Sequence, residues 1–233
     1  MTKIIIVKGK QPNWNQLIVV PSSITDFRSV STTPDLVQDE FNTLIDSYLD
    51  DKVGISNFFL EPVLALQLRQ ALLALNATQQ MKAAGTGNEV VILQDKLIRS
   101  DKIYWLDRTH DNPEEKAFFI RMDAFVAFLN ETCYTGITSY EFHYACYEVG
   151  TFYKKHLDQF RNDDRRAFSM ILYLNENWQE GDGGELCIYQ DGLAQMIAPL
   201  FGKSVFFKSN ELEHEVLETH KQRLSITGWL KTA

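Results

Sequence analysis

Residues 147–158 read YEVGTFYKKHLD and end in a histidine and an aspartate that are separated by one leucine. In an extended strand, side chains two positions apart point to the same side. His156 and Asp158 would therefore face one way, while Leu157 faces the other. An imidazole and a carboxylate placed like this can both reach one metal ion, so the rest of the site must lie elsewhere in the chain.

Two later residues suit the same site. His214 lies in a later β-rich run, and Arg223 begins the run that follows it. Two imidazoles and one carboxylate form the facial triad of non-haem Fe(II) oxygenases, which leaves metal positions open for a co-substrate and O₂. The same donors could also hold Zn(II), Mn(II) or Ni(II). Arg223 would supply a permanent cation for a dicarboxylate such as 2-oxoglutarate.

Other polar and aromatic residues near these positions have more than one interpretation. Thr227 shares a strand face with Arg223, and its hydroxyl could bind the same carboxylate. Tyr173 could add a phenol donor, or it could be a core aromatic whose hydroxyl is satisfied by the protein. Trp229 is expected in the wall of the site or in the core. The other histidines are expected in surface or structural roles: His110, His143 and His220.

Size and composition describe an ordinary globular protein with one large domain. The chain has 233 residues, of which 45% are hydrophobic and 23% are charged, and its formal net charge is −8. This charge argues against a nucleic-acid partner, because phosphate-backbone binders need basic surfaces. The three cysteines form no CxxC pair, and no run approaches the ~20 apolar residues of a membrane span. We therefore expect a cytoplasmic protein without a membrane partner.

The first half of the chain has mainly helical periodicity. Residues 1–32 are predicted to be an N-terminal extension that could supply accessory strands. Amphipathic helices are predicted from Pro34, from Pro62 and over residues 114–130, because apolar residues recur there at helical spacing. Short strands are predicted at 53–59 and 103–106, and residues 83–101 are predicted to be a loop or mobile hairpin.

After about residue 136 the pattern becomes that of a β protein. Eight short runs rich in β-branched and aromatic residues lie between turn signals such as Gly181-Asp182-Gly183-Gly184. Strands that follow a helical half predict an α+β fold that is mainly β. We expect a jelly-roll sandwich with supporting helices packed on one face.

Six short segments of this sequence match the pattern of one protein family. They are YEVGTFYKKHLD at 147–158, ILYLN at 171–175, Trp178, GGEL at 183–186, HEV at 214–216 and RLSITGW at 223–229. Together they resemble the 2-oxoglutarate-dependent prolyl 4-hydroxylases, and most of all the oxygen-sensing prolyl hydroxylases of animals and their bacterial relatives. Residues 99–105, RSDKIYW, match the R-x-D-x-I-x-W pattern of those sensors. The resemblance extends over residues 37–231 and leaves the N-terminal extension without a counterpart.

The resemblance implies a double-stranded β-helix dioxygenase domain over residues 33–233, with its β core at about 136–231. It implies Fe(II) on His156, Asp158 and His214, with 2-oxoglutarate and O₂ as co-substrates and ascorbate as a further cofactor candidate. It also implies a set of residues around 2-oxoglutarate. Arg223, Tyr173 and Thr227 would hold its far carboxylate, Tyr147 would lie near its iron-chelating end, and Ile171 and Leu186 would line its chain.

The resemblance also assigns a substrate side. Asp101 and Arg166 correspond to a pair that orders this side, Trp229 is placed there as well, and residues 83–101 match a substrate-covering loop. The implied substrate is a prolyl residue of a protein or peptide, and one bacterial branch acts on elongation factor Tu. Two alternatives stay open from the residues alone: a hydroxylase of a free amino acid or other small molecule, and a non-catalytic jelly-roll binding module.

Overall fold

The computed structural model describes residues 34–85, 98–159 and 164–233, so the predicted N-terminal extension lies outside them. Helices α1 (Pro34–Asp51), α2 (Pro62–Ala77) and α3 (Pro113–Cys133) confirm the three predicted helices. Each begins with proline, which suits the first helical position because the N–H there needs no intrahelical partner. Before α3, Asn112 accepts a hydrogen bond from the Glu115 amide at 2.9 Å.

The predicted apolar stripes of the helices are buried in one cluster. Phe41 and Leu44 of α1, Leu68 of α2, and Phe118 and Phe125 of α3 are each at most 3% exposed. They pack together against one face of the larger β-sheet. This burial supplies the helices with the stability that short isolated helices lack in water. Each helix in the described ranges is too short or too polar to span a lipid bilayer.

Eleven strands form two antiparallel sheets in the described part of the chain. They are β1 (Gly54–Ser56), β2 (Lys82–Ala83), β3 (Lys102–Trp105), β4 (Ser139–Tyr147), β5 (Tyr153–His156), β6 (Arg166–Tyr173), β7 (Leu186–Gln190), β8 (Leu193–Ile197), β9 (Ser204–Lys208), β10 (Glu213–Val216) and β11 (Arg223–Lys231). The larger sheet has the order β1-β9-β6-β11-β4-β3-β2, and the smaller has the order β5-β10-β7-β8. The eight runs predicted after residue 136 correspond to β4 through β11.

One short strand was not predicted, and it overlaps the first residue of the predicted loop or mobile hairpin at 83–101. β2 has two residues and forms by pairing with β3, with Lys82 opposite Ile103 and Ala83 opposite Lys102. A strand this short carries too few residues for a period-two pattern. Its existence depends on a distant partner, which local sequence does not reveal.

The larger sheet separates the helices from the smaller sheet. Phe142 and Tyr144 of β4 belong to the cluster with the helices, whereas Ala145 and Tyr147 belong to a second cluster with β7. Residues opposite one another in an antiparallel pair lie on the same face. Arg223 is paired with Tyr147, so its side chain enters the space between the two sheets. This confirms the predicted jelly roll with helices on one face, and it places the functional residues inside the sandwich.

Candidate metal centre and co-substrate pocket

His156, Asp158 and His214 converge between the two sheets. His156 ends β5, Asp158 follows it, and β10 pairs with β5 so that His214 lies opposite His156. One potential ligand atom from each residue lies within 4.8 Å of the others. Nε2 of His156 is 3.4 Å from Asp158 Oδ1, and Nε2 of His214 is 3.4 Å from Asp158 Oδ2. Strand pairing has therefore joined residues that lie far apart in the chain.

Neighbouring groups hold the three side chains in orientations suited to a metal. Nδ1 of His156 lies 2.7 Å from the Lys154 carbonyl, and Nδ1 of His214 lies 3.0 Å from the Leu212 carbonyl. A carbonyl oxygen can only accept, so each Nδ1 carries the proton and each Nε2 lone pair is left for a metal. Ser169 Oγ donates to Asp158 Oδ2 at 2.6 Å. Outer partners of this kind are typical of metal-binding histidines and carboxylates.

The charge states also fit a divalent ion. Burial would raise the pKa of the Asp158 carboxyl, but attraction to His214 and His156 and the hydrogen bond from Ser169 hold the pKa below its ordinary value. Burial lowers the pKa of His214, which favours the neutral imidazole at physiological pH. An ionised carboxylate and neutral imidazole are the forms that bind metals. This donor set fits Fe(II).

Arg223 provides a buried cation in the same space. Arg223 is 3% exposed. Its Nε donates a hydrogen bond to the Gly184 carbonyl at 2.8 Å, and its Nη1 donates one to Ser225 Oγ at 3.3 Å. Its Cζ lies 4.9 Å from the ring centroid of Tyr147 and 5.0 Å from that of Tyr173. Within the described residues Arg223 forms no ion pair with an acid. A buried cation is costly without an anion, so this guanidinium is suited to a carboxylate ligand.

The sequence left two interpretations of Tyr173 open, a hydrogen-bond donor at the site or a core aromatic whose hydroxyl is satisfied by the protein. The structure does not fit the second. The Tyr173 Oη is buried and makes no hydrogen bond of normal geometry in the described part of the chain. Burial raises the pKa of Tyr173, against the opposing charge of Arg223, so the phenol keeps its proton. An unpartnered buried hydroxyl costs free energy. An oxygen atom of a ligand beside Arg223 would remove that cost.

One cavity joins the metal triad to Arg223. Thr227 lines it, and a row of polar groups runs along β11, because Ser225 Oγ is 3.3 Å from both Arg223 Nη1 and Thr227 Oγ1. Tyr173 packs against the guanidinium and is not part of the cavity wall. The other predicted residues that line the cavity are Tyr147, Ile171, Leu186 and Trp229.

The backbone of the glycine-rich turn lies directly against Arg223. Gly184 has φ +73°, and a Cβ atom there would lie 3.0 Å from Arg223 Cδ and 2.9 Å from Thr219 Oγ1. Only glycine combines this left-handed conformation with so close an approach. The Gly183-Gly184 string singled out in the sequence therefore lets a carbonyl oxygen reach the arginine.

The predicted substrate residues lie beside the cavity in two separate ion pairs. Asp101 accepts hydrogen bonds from Arg99 Nε at 2.8 Å and Nη2 at 2.7 Å. Arg166 donates from Nη2 to Glu141 Oε1 at 2.8 Å, and its Cζ lies 3.5 Å from the Trp229 ring centroid. Asp101 and Arg166 thus have their own partners. Two residues in contact with them line the cavity, Arg99 beside Asp101 and Trp229 beneath Arg166.

Sequence reasoning assigned no site role to five of the cavity residues, of which two, Ala145 and Val216, are aliphatic. Arg99 and Tyr153 line it, and so does His143, which is 2% exposed and lies between the rings of Trp105 and Trp229. His143 is opposite Thr227 in the β4–β11 pairing. The alternation of side chains from Tyr147 back along β4 was the signal that could have placed it inside. Its buried position is consistent with the structural role expected for it.

Comparisons with known proteins agree with this geometry. The family described as the 2OG-Fe(II) oxygenase superfamily matches residues 142–231. Prolyl hydroxylase EGLN3 of Homo sapiens is 30% identical over 144 residues, which are 57% of this chain and 58% of that protein. The chain thus matches little more than half the length of this curated relative.

Two solved structures are similar over most of the chain. A Pseudomonas putida prolyl-4-hydroxylase has 33% identity and a TM-score of 0.74, with 83% of this chain and 99% of that chain covered. The second is a prolyl hydroxylase in complex with a hypoxia inducible factor oxygen degradation domain peptide fragment from Trichoplax adhaerens. It has 26% identity and a TM-score of 0.75, with 87% of this chain and 94% of that chain covered.

A jelly roll with a His-Asp-His triad and a buried arginine is the arrangement of an Fe(II)- and 2-oxoglutarate-dependent oxygenase. Given these similarities, the chain belongs to the prolyl hydroxylase family of those oxygenases.

Proposed function

We propose that this protein hydroxylates a prolyl residue of a protein or peptide in a reaction that requires Fe(II) and 2-oxoglutarate. One observation carries the proposal: the metal triad and the buried Arg223, which pairs with no acid in residues 34–85, 98–159 and 164–233, line the same cavity between the sheets. A metal with open positions at one end and a fixed cation at the other suit a dicarboxylic keto acid. Membership of the prolyl hydroxylase family argues against a non-catalytic binding module.

The residues around the metal site and Arg223 have separate proposed roles. His156, Asp158 and His214 hold Fe(II). Arg223 binds the far carboxylate of 2-oxoglutarate, with hydroxyl hydrogen bonds from Tyr173 and Thr227. The remaining residues shape the binding space: Tyr147 beside the metal-binding end, and Ile171 and Leu186 along the carbon chain.

When bound, iron and 2-oxoglutarate activate O₂, so that one oxygen atom enters succinate as CO₂ leaves and the other converts a substrate C–H into C–OH. The chain's own residues orient the reactants and keep water out. Leu186 is fully buried and Ile171 is 5% exposed, so the space for the co-substrate chain is apolar. Tyr173 stays protonated, because burial raises its pKa, and its hydroxyl can therefore donate a hydrogen bond to the co-substrate.

The substrate is proposed to approach along the two ion pairs beside the cavity. Asp101 fixes Arg99, and Glu141 fixes Arg166, whose guanidinium lies on the Trp229 ring. Most of the predicted substrate-covering loop, residues 86–97, lies outside the described residues. The peptide complex of the Trichoplax adhaerens relative supports a peptide in preference to a free amino acid.

Elongation factor Tu is the first protein substrate to test. The support for it is the resemblance of the metal-site strings to the bacterial branch that acts on this factor. A cytoplasmic location is part of this proposal, because a translation factor would be met there. Ascorbate is proposed to sustain repeated turnover by returning oxidised iron to Fe(II).

The test is direct. The purified protein, loaded with Fe(II), is incubated with 2-oxoglutarate, O₂ and elongation factor Tu. Succinate is measured, and peptide mass spectrometry maps any added oxygen atom. We expect succinate and a hydroxylated prolyl residue only when iron and 2-oxoglutarate are both present. Robust succinate formation with free amino acids but no protein hydroxylation would favour the small-molecule alternative.

Two histidine variants provide the controls. His156→Ala removes a proposed metal ligand and should abolish turnover. His110→Gln changes a histidine outside the triad, keeps a polar group near its partner Glu115, and should retain activity. Robust turnover in His156→Ala would refute the assignment of the metal ligands.

A further inference from the structure

We propose that Tyr153 and Arg99 are positioning residues that hold the metal ligand His156 in place, so that they set how long the metal stays bound. The proposal rests on the metal site described above, but it does not depend on which molecule is hydroxylated. It assigns a role to two cavity residues that the co-substrate and the metal do not account for.

Four side chains form a continuous row that ends at the metal site. The Tyr153 ring stacks on the His156 imidazole, with 3.6 Å between ring centroids and an interplanar angle of 16°. On the Tyr153 ring lies the Arg99 guanidinium, whose Cζ is 4.4 Å from the centroid. Asp101, which is 1% exposed, fixes Arg99 through two hydrogen bonds. A buried carboxylate is thus linked to a metal ligand through charge pairing, cation–π contact and ring stacking.

The backbone of β5 is distorted in a way that produces this stack. Residues three positions apart in a regular strand point to opposite faces, yet Tyr153 and His156 lie ring against ring. The pairing of β5 with β10 is irregular between His214, opposite His156, and Val216, opposite Tyr153. The two residues Lys154 and Lys155 therefore stand against one residue of β10. A bulge of this kind re-aims side chains beside active sites.

The segment that carries Arg99 is attached to the same strand. Lys154 N donates to the Ile98 carbonyl at 2.7 Å, and Ser100 N donates to the Phe152 carbonyl at 3.1 Å. These bonds flank the bridge between Arg99 and Tyr153. The position of residues 98–101 therefore determines where the guanidinium lies on the Tyr153 ring.

His156 needs such support more than His214 does. The His156 side chain is 14% exposed, against 4% for His214. His214 also packs edge-on against Phe207, with 4.8 Å between ring centroids. The Lys154 carbonyl restrains only Nδ1 of His156, whereas the Tyr153 ring restrains the plane of the imidazole. We therefore expect His156 to be the ligand that leaves first and Tyr153 to be the side chain that delays it.

The experiment measures metal release, not turnover. Wild-type protein and variants are loaded with Co(II) without 2-oxoglutarate, and excess chelator is added. The loss of Co(II) visible absorption gives the rate. Removing an outer partner of a metal ligand weakens metal binding by roughly 10–100-fold, so Tyr153→Leu should release Co(II) at least about tenfold faster. Tyr153→Phe keeps the ring and should stay within about twofold of wild type, given the same principle.

Two arginine variants complete the set. Arg99→Met should speed release by roughly three- to tenfold, as expected for loss of a partly buried cation–π contact. Arg108→Met is the matched control, because Arg108 pairs with Asp123 and lies over the rings of Phe119 and Tyr140 away from the metal. It should release Co(II) at the wild-type rate. Thermal unfolding of the metal-free variants establishes that each is folded.

The outcomes separate this proposal from the proposed function. If folded Tyr153→Leu and Arg99→Met release Co(II) at the wild-type rate, the positioning role is wrong while the metal site stands. If Tyr153→Phe behaves like Tyr153→Leu, the hydroxyl and not the ring is responsible, and the stacking argument is overturned. If the wild type binds no Co(II), both the metal site and this inference are wrong. If Tyr153→Leu does not fold, the rates of Tyr153→Phe and Arg99→Met decide.

Discussion

Replacing Arg223 by methionine should nearly abolish 2-oxoglutarate binding without unfolding the protein. Arg223 is 3% exposed and forms no ion pair with an acid in the described residues. The structure therefore maintains a buried charge whose main compensation comes from a ligand. Methionine has a similar length and flexibility, so it fills the space and leaves the charge as the main difference.

The magnitudes follow from the contacts of Arg223. Losing a charge-assisted pair with a bound carboxylate costs about 3–4 kcal/mol, which is roughly a 150- to 900-fold rise in the dissociation constant of 2-oxoglutarate. In the ligand-free protein two changes oppose each other. Removing an uncompensated cation stabilises the fold, whereas the Gly184 carbonyl loses its 2.8 Å hydrogen bond at a cost of about 1 kcal/mol. The free energy of unfolding should therefore change by no more than about 1 kcal/mol.

The assay is 2-oxoglutarate titration of Mn(II)-loaded protein, followed by the rise in unfolding temperature that a ligand specific for the folded state produces. Arg121→Met is the matched control. Arg121 also donates from Nε to a backbone carbonyl, that of Phe59 at 2.9 Å, and lies over two rings, but it is in the helical core. The control should keep the wild-type 2-oxoglutarate response.

Two results would refute this reasoning. One is that Arg223→Met is half-saturated at a 2-oxoglutarate concentration within about fivefold of that for the wild type. The arginine would then contribute about 1 kcal/mol or less to the free energy of 2-oxoglutarate binding. The other is a ligand-free Arg223→Met that loses several kcal/mol of stability, which would make Arg223 a structural residue.

Three further outcomes are expected. Burial lowers the pKa of His143 to about 4 from 6.5. Between these pH values the imidazole is protonated in the unfolded state and neutral in the folded state. The free energy of unfolding should then fall by about 3 kcal/mol between pH 6.5 and 4, and denaturant titrations of His143→Asn should lack this part of the slope. Gly184→Ala should raise the 2-oxoglutarate concentration for half-saturation and lower the unfolding temperature, because its Cβ would lie 3.0 Å from Arg223 Cδ; an unchanged titration would contradict the close-approach argument. A thiol reagent should rapidly modify the exposed Cys133 in the folded protein. It should reach the buried Cys146 and Cys187 only on unfolding, and peptide mapping would identify the modified residues.

Much of the candidate site could be inferred from local sequence because its chemistry depends on residue types at short spacing. His156 and Asp158 are two positions apart, and Arg223 and Thr227 share a face of one strand, so strand periodicity alone predicts which of them point together. The prolines that open α1, α2 and α3 and the turn glycines at Gly183 and Gly184 are likewise read from neighbours in the chain.

The tertiary structure was needed wherever two distant segments meet. Nothing local indicates that β10 places His214 opposite His156, that the buried Tyr173 hydroxyl has no hydrogen-bond partner among the described residues, or that Arg99 joins Asp101 to Tyr153. These relations depend on sheet register and on one bulge, and a shift of one residue in register would turn every side chain of a strand to the other face. Residue types and their local spacing identify the groups that can bind a metal and a keto acid. Only the folded sheets decided that those groups share one cavity, because their proximity is created by pairing between strands and not by spacing along the chain.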